Sequence, residues 1–155
     1  MAQPTRTEIF NALYALVSTA TPPGGTSSAD WKGLLKQPIS WDDVPVAQQP
    51  SMFIARGPQE ASRSSRMPLT KWKYTYQIYV YFRRDGLPDS DAGPAIEAYL
   101  DSLEAILGTT PEGGFLTLGD RTYECWIEGT VVFDAGLEDQ QCVILVPISI
   151  LPERI

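Results

Sequence analysis

Strict alternation of apolar and polar positions marks the middle of the chain, in the stretch KWKYTYQIYVYFRRD at residues 71–85. Its apolar positions are Trp72, Tyr74, Tyr76, Ile78, Val80 and Phe82. The positions between them are Lys71, Lys73, Thr75, Gln77, Tyr79, Tyr81 and Arg83. A period of two is typical of a half-buried β-strand, and this one exceeds the usual five or six residues. The pattern leaves open what the second, basic and aromatic face contacts.

Two segments instead show the spacing of amphipathic helices. TRTEIFNALYALVSTA has Thr5 or Thr7 as a candidate N-cap and Glu8 in the first turn. Its apolar stripe is Ile9, Leu13, Leu16 and Ala20, with Phe10 and Val17 beside it. AGPAIEAYLDSLEAILG has Pro94 in its first turn, Gly108 as its stop, and a predicted buried stripe of Ile96, Leu100, Leu103 and Leu107. We expect an acidic, solvated opposite face, formed by Glu97, Asp101 and Glu104.

Shorter runs predict the other strands and loops. SMFIARG, residues 51–57, predicts a short strand, and the polar, basic PQEASRSSRMP, residues 58–68, predicts a mobile loop. In the last third, FLTL, RTYECWIE, GTVVFD and QQCVILVPISIL predict antiparallel strands. The inner face of the final strand would be Cys142, Ile144, Val146, Ile148 and Ile150. Gly129 suggests a bulge, and Pro147 indicates an edge or a bulge.

The segment from Trp31 to Trp41 shows no periodic pattern. A tryptophan in such a segment either anchors a loop to the core or contacts a partner, and the anchor is the favoured interpretation. The order of helix, strands, helix and strands predicts one domain over residues 1–155. The expected class is α+β, with a mixed, mainly antiparallel sheet, two helices packed on one face, and one long protruding hairpin or loop.

The composition argues against an enzyme. The chain has no histidine and only two cysteines, so triads that use histidine and four-thiolate metal sites lack their residues. Cys125 and Cys142 lie in predicted strands, where we expect buried thiols. The adjacent acids Asp42 and Asp43, and Glu138 and Asp139, are a weak signal for a dyad or a metal site. No catalytic, cofactor or metal residue is therefore predicted.

Charge is divided unevenly. Residues 56–84 carry a net charge of +6, whereas the rest of the chain carries −13. A nucleic-acid binder is expected to be basic over a whole face, and the sequence pI of about 4.5 is against that. Self-association between a basic strip and an acidic neighbouring surface fits better. Tyr79 and Tyr81 could stack on bases, but cross-strand packing is the favoured use. With neither a secretory signal nor an apolar run long enough for a membrane helix, we expect a cytoplasmic protein without membrane contact.

Several stretches together resemble the tail terminator proteins of long-tailed bacteriophages. These are EIFNALYALV, QPSMFIARG, YQIYVYFRRDG, AIEAYLDSLEAIL and VFDAGLEDQQCVILVPISI. In the last of them, a strand ends at Asp134-Ala135-Gly136-Leu137 before a polar turn and a final apolar strand. The segment between Trp31 and Trp41 and the loop from Pro58 to Pro68 depart from the family pattern.

The resemblance implies a small structural subunit of the virion that assembles as a homohexameric ring in the host cytoplasm. The ring would cap the head-proximal end of the tail tube, stop tube polymerisation and join the tail to the neck. Its partners would be itself, the tail tube protein and a connector or stopper protein, and DNA would pass through without sequence-specific binding. The expected contact residues for a neighbouring subunit or the tube are Arg63, Arg66, Lys71, Lys73, Tyr79, Tyr81, Arg83 and Arg84.

Two alternatives remain from the sequence. A stopper or head-completion protein on the head side of the neck would also be small and rich in strands. A monomeric domain that binds single-stranded nucleic acid through Tyr79, Tyr81 and the basic strip is the more remote alternative.

Overall fold

The computed structural model describes residues 4–23, 31–36, 40, 43–64, 67–83, 93–108, 116–119, 121–134, 136 and 140–152. Its helices are α1 (Arg6–Val17) and α2 (Gly93–Leu107), with a short 3-10 helix at Val46–Gln48. The strands are β1 (Gly33–Leu35), β2 (Ser51–Ser64), β3 (Met67–Arg83), β4 (Glu124–Ile127), β5 (Val132–Asp134) and β6 (Gln141–Leu151). Both helices pack on one face of a mixed, mainly antiparallel sheet, which confirms the predicted α+β class.

The six strands form one sheet in the order β1-β2-β3-β6-β4, and β5 also pairs with β6. Only the β1–β2 pair is parallel. β4 pairs with residues 148–151 of β6, and β5 pairs with residues 143–145, so both lie on the same side of β6. Pro147 falls between them, and its carbonyl accepts a hydrogen bond from the Glu128 amide at 3.1 Å. The predicted irregularity at Pro147 is thus a break between two edge strands, where the missing N–H leaves no gap in a ladder.

The first helix begins as its sequence predicts. Thr5 is the N-cap, and its hydroxyl accepts from the Glu8 amide at 3.2 Å while the Glu8 carboxylate accepts from the Thr5 amide at 2.6 Å. This capping box satisfies two backbone donors that the helix itself leaves unpaired. The hydrogen bonds from Thr5 also lower the pKa of Glu8. Ile9, Phe10, Leu13 and Val17 are buried, so the stripe is confirmed apart from Leu16, which is half-buried.

The second helix is rotated slightly from its predicted orientation. Pro94 occupies the first turn as expected, but Tyr99 is buried where Leu100 was predicted, and Leu100 is half-buried. The Tyr99 ring lies 4.7 Å from the Phe82 ring and 5.8 Å from the Trp31 ring, measured between centroids. Burial raises the pKa of Tyr99 above its ordinary value. Tyr99, rather than Leu100, faces the core because its large aromatic ring fills the space between the sheet and Trp31.

The core lies between the helices and the sheet. Cys142, Ile144, Val146, Ile148 and Ile150 are fully buried, which confirms the predicted inner face of β6. On β3 the predicted apolar face is buried from Tyr74 to Phe82, whereas Trp72 is half-buried. Trp31 is an anchor, as predicted, because it is 6% exposed and its Nε1–H donates to the Ala20 carbonyl at 2.6 Å. Trp41 lies outside the described residues.

Two predictions of local structure are wrong, and one predicted strand is present but shorter than expected. Residues 58–64, predicted as a mobile loop, continue β2, because pairing with β3 supplies backbone hydrogen bonds that their polar composition does not reveal. In FLTL, Leu116 and Thr117 form no strand, and Leu118 and Gly119 form a turn with φ of 51° and 68°. The following strand is correspondingly short, since β4 begins only at Glu124. Residues 65–66 and Phe115 lie outside the described residues.

Candidate interaction surface

The most conspicuous feature is a two-stranded arm, formed by residues 57–64 of β2 and 67–73 of β3. β6 pairs with β3 only from Tyr74 onward, so the arm's strands pair with each other beyond the end of β6. Every side chain from Gln59 to Arg63 is exposed. A protruding hairpin was predicted, and the structure builds it from the segment predicted to be a loop.

Arg6 at the start of α1 holds the base of the arm. Its guanidinium carbon lies 4.7 Å from the centre of the Trp72 ring and 5.2 Å from that of Tyr74. Its Nε–H also donates to Gln59 Oε1 at 2.9 Å. Cation–π contacts of this kind are each worth about 0.5–1 kcal/mol at exposed sites. Arg6 therefore joins both strands of the arm to the first turn of α1.

Lys73 joins the arm to the opposite side of the sheet. Its ammonium nitrogen lies 2.9 Å and 3.0 Å from the two Glu128 carboxylate oxygens and 5.9 Å from the centre of the Trp126 ring. Hydrogen bonds from Ser149 and from Lys73 lower the pKa of Glu128. Both ionised side chains are partly exposed, so the pair contributes at most about 1 kcal/mol. Its main effect is to fix where the arm leaves the sheet.

The sheet face turned away from the helices is called here the outer face. Residues directly opposite each other in paired strands share a face, so Thr75, Gln77 and Tyr79 lie beside residues 149, 147 and 145 of β6. These β3 residues, and Leu145 and Pro147, are half-buried, although no described helix packs on them. The Tyr79 hydroxyl donates to Gln77 Oε1 at 3.1 Å. The centre of this face is neither a packed core nor a fully solvated surface.

One end of the outer face is covered by the chain itself. Val44, Phe53 and Tyr81 form a small second core, in which the Phe53 and Tyr81 ring centroids lie 4.9 Å apart. Tyr81 is only 5% exposed, and burial raises its pKa. Tyr81 was predicted to contact a partner, but within this subunit it packs beneath Val44.

The predicted contact residues do not form one site. Arg63 is exposed on the arm, Lys71 and Lys73 are half-buried along it, and Arg83 is half-buried at the other end of β3. Twelve residues of strand separate Lys71 from Arg83, which amounts to roughly 40 Å at about 3.3 Å per residue. Arg66 and Arg84 lie outside the described residues. The structure thus divides the basic strip between the two ends of a long strand, with Tyr79 between them.

Sequence reasoning missed Val132 and Phe133, the exposed large apolar side chains of the described residues. Both lie on the edge strand β5, at 57% and 56% exposure. GTVVFD was interpreted as an ordinary strand, and a three-residue strand gives too short an alternation to show which face is buried. The sequence gives one hint of this exposure. Neighbouring side chains of a strand point to opposite faces of the sheet, so a short edge strand does not bury both Val132 and Phe133.

The described residues offer little for catalysis. They contain no group of three or more cysteine and acidic side chains that could hold a metal ion. Both thiols are buried, and burial raises the pKa of Cys125 to about 12. The buried Ser51 and Thr122 hydroxyls have no hydrogen-bond partner among the described atoms. No described helix is both long and apolar enough to cross a membrane.

A cleft of about 500 Å³ lies between α1 and the turn after α2. Alanine and leucine side chains line most of it, with Asn11 and Arg121 as its polar groups. The Arg121 guanidinium donates to the Leu118 carbonyl at 3.3 Å. The described lining contains no acid–base pair, and the cleft lies on the helix side of the sheet, away from the outer face.

Neither the models of known protein families nor the curated proteins contain a match to this chain.

Proposed function

We propose that the protein is a structural subunit of a phage virion that forms a ring at the head-proximal end of the tail tube, ends tube polymerisation and joins the tail to the neck. The observation that carries the proposal is the outer face, whose centre is half-buried while a rigidly based arm extends beyond it. A folded domain gains little from such an arm alone, since the side chains from Gln59 to Arg63 meet solvent. Contact with neighbouring subunits gives both features a use.

Charge supports repeated association of identical subunits. The arm carries Arg63, Lys71 and Lys73 against one acid, Glu60, among its described side chains, whereas the chain as a whole is at −7. Two like arms repel each other, so the arm is better placed against a different, acidic part of a neighbour. Contacts between different surfaces of identical subunits generate rings when the rotation closes.

The same features bear on the alternatives. Base stacking by two adjacent tyrosines loses support because Tyr81 is buried in the second core. A head-side neck protein also needs surfaces for neighbours, so the position in the particle must come from an experiment. Absence of the tail terminator and absence of a head-side protein leave different particles.

The test is electron microscopy of particles from a phage that lacks this gene, with tail length and head attachment recorded in the same images. We expect overlong tails that lack heads. Tails of normal length beside unattached heads would instead assign the protein to the head side of the neck. Particles indistinguishable from wild type would refute both assignments.

Complementation with variants tests the arm. We expect Arg63→Glu with Lys71→Glu to give a folded subunit that fails to restore tail length, because the arm would then repel the acidic surface of its neighbour. Arg121→Glu is the matched control, since Arg121 is an exposed cation that lines the cleft beside α1, away from the arm. Circular dichroism of each purified variant separates misfolding from failed assembly. Full complementation by the double variant would remove the arm from the proposed contact.

A further inference from the structure

Two of the short edge strands, β1 and β5, lie at opposite ends of the same three rows of paired residues. One row runs from Val132 through Leu145, Tyr79 and Phe53 to Leu35. The next runs from Phe133 through Ile144, Val80 and Met52 to Leu34. The third runs from Asp134 through Val143, Tyr81 and Ser51 to Gly33. The edge strands therefore lie at the same level on opposite sides of one sheet.

Strand direction makes these two edges compatible. β1 runs parallel to β2, and three antiparallel steps lead from β2 through β3 and β6 to β5. β5 consequently runs opposite to β1. If two copies stand side by side in the same orientation, β5 of one copy meets β1 of the next as an antiparallel pair. Because both strands lie at one level, repeating this contact adds no step along the strands, as a closed ring requires.

β5 has no proline, lysine or bulge to block pairing at its edge, although it is only three residues long and ends at the acidic Asp134. Its residues are Val132, Phe133 and Asp134, without proline or lysine, and it pairs with no described strand except β6. β2 beyond β1 is different, because Pro58 lies there and the register shifts between Arg56 and Gln59. Prolines and bulges are devices that block pairing at an edge. Of the two, β5 is the edge that no other described strand pairs with and that carries no blocking proline or bulge, and two of its three residues are apolar.

We propose that β5 of one copy pairs with β1 of the next copy, so that the sheet continues from subunit to subunit around the ring. In this register Phe133 lies opposite Leu34 of the neighbour, and Val132 lies opposite Leu35. Val132 then gains a cross-strand neighbour on the outer face, and Phe133 gains one on the face that carries the helices. The inference rests on the proposed function only in taking the partner to be a second copy in a ring.

A ladder of three residues fixes the register but buries little surface. Stable interfaces cover about 800 Å² on each partner, so the rest must come from surfaces beside the ladder. The outer face continues directly from Val132 through Leu145 to Tyr79, and the arm extends from the end of this face next to Tyr74. The strand pair thus aligns two subunits whose neighbouring faces supply most of the contact.

Cysteine cross-linking in assembled tails tests the register. Leu34→Cys and Phe133→Cys are made as separate variants and expressed together in cells infected with the deletion phage. Opposite residues of an antiparallel pair have Cα atoms about 4.5–5.5 Å apart, which lies within the range that a disulfide spans. We expect mild oxidation of isolated tails to give a covalent dimer only when both variants are present. Ala61→Cys with Phe133→Cys is the matched off-register control, because Ala61 is exposed on the arm.

Each outcome decides the inference. Tails of normal length that contain both variants without a cross-link would overturn the edge pairing and leave the proposed function standing. Dimers from Phe133→Cys alone would show a symmetric β5–β5 contact and also overturn it. Absence of the protein from wild-type tails would refute the proposed function itself. If Leu34→Cys misfolds, Phe133→Asp serves instead, with loss of assembly expected while Ala105→Asp, on the exposed side of α2, assembles normally.

Discussion

Replacing Arg6 with alanine tests whether the base of the arm is held as the structure indicates. The substitution removes two ring contacts, at 4.7 Å and 5.2 Å, and the hydrogen bond to Gln59. Two exposed cation–π contacts at about 0.5 kcal/mol each and one hydrogen bond at about 1 kcal/mol amount to about 2 kcal/mol. Against this, removing a cation from the first turn of α1 relieves about 0.5 kcal/mol of unfavourable interaction with the helix dipole.

The lost contacts outweigh the relieved interaction with the helix dipole, and their main effect is on the arm. We expect the free energy of global unfolding to fall by about 1.5 kcal/mol in urea titrations. Opening of the arm, which does not disturb the helix dipole, becomes about thirtyfold more frequent, because 1.4 kcal/mol is a factor of ten. Hydrogen exchange of the paired amides in residues 60–63 and 70–73 reports that opening directly.

The matched control is Lys36→Ala. Lys36 lies 5.1 Å from the centre of the Tyr14 ring and bonds Asn11 at 3.1 Å, so it makes the same kinds of contact on α1 without touching the arm. Its removal should leave exchange in the arm unchanged. Unchanged arm exchange in Arg6→Ala, or equal acceleration throughout the protein, would refute the reasoning.

Three further predictions concern the core. Ile148→Ala should lower the free energy of unfolding by about 3 kcal/mol in urea, whereas Leu145→Ala on the half-buried outer face should cost clearly less; equal losses would show that the outer face is packed. Burial raises the pKa of Tyr76 to about 12, so the unfolded chain loses this proton first. Tyr81, Tyr99 and Cys125 also have raised pKa values, so we expect the fall in stability above pH 10, measured by urea titrations, to be smaller by about 3 kcal/mol in Tyr76→Phe than in the wild type. Burial raises the pKa of the Cys125 thiol to about 12, so at pH 8 a thiol reagent should react only after unfolding, and rapid reaction of the native protein would contradict the buried position.

Elements whose stability is decided within one segment were predictable from the sequence. The cap at Thr5 and the alternation of β6 follow from residues three or two positions apart, and both are confirmed. β3 was predicted for the same reason, although it begins four residues earlier, at Met67. In each case one face of the segment packs on the core along most of its length, so the spacing of apolar residues alone is enough to predict the element.

Elements that depend on distant pairing were not predictable. β1 has three residues and forms only by parallel pairing with β2, eighteen positions later in the chain. Residues 58–64 have the composition of a loop but become a strand because β3 lies beside them. The positive φ of Leu118 ends the predicted FLTL strand and depends on the turn that it joins. None of these features leaves a periodic trace.

The candidate surface shows the same division. The basic and aromatic residues of β3 were visible in the alternation, but their roles depend on what packs across the strand at each level. Tyr81 is covered by Val44, Lys73 is paired with Glu128, and Tyr79 lies between them without a described helix above it. The sequence presents these three positions as equivalent because an alternating pattern does not distinguish solvent, a covering loop and another subunit.

The outer face of β3 has three different environments along its length, and together they indicate what this face contacts. At one end its side chains are covered by the chain itself, and at the other end Arg6 and Glu128 fix the arm. The open centre, at Tyr79 and Leu145, is therefore held in a defined shape, and Val132 continues its apolar row to the sheet edge. A half-apolar surface that continues to an edge strand suits a partner that approaches in one register, and we propose that this partner is a second copy of the same sheet.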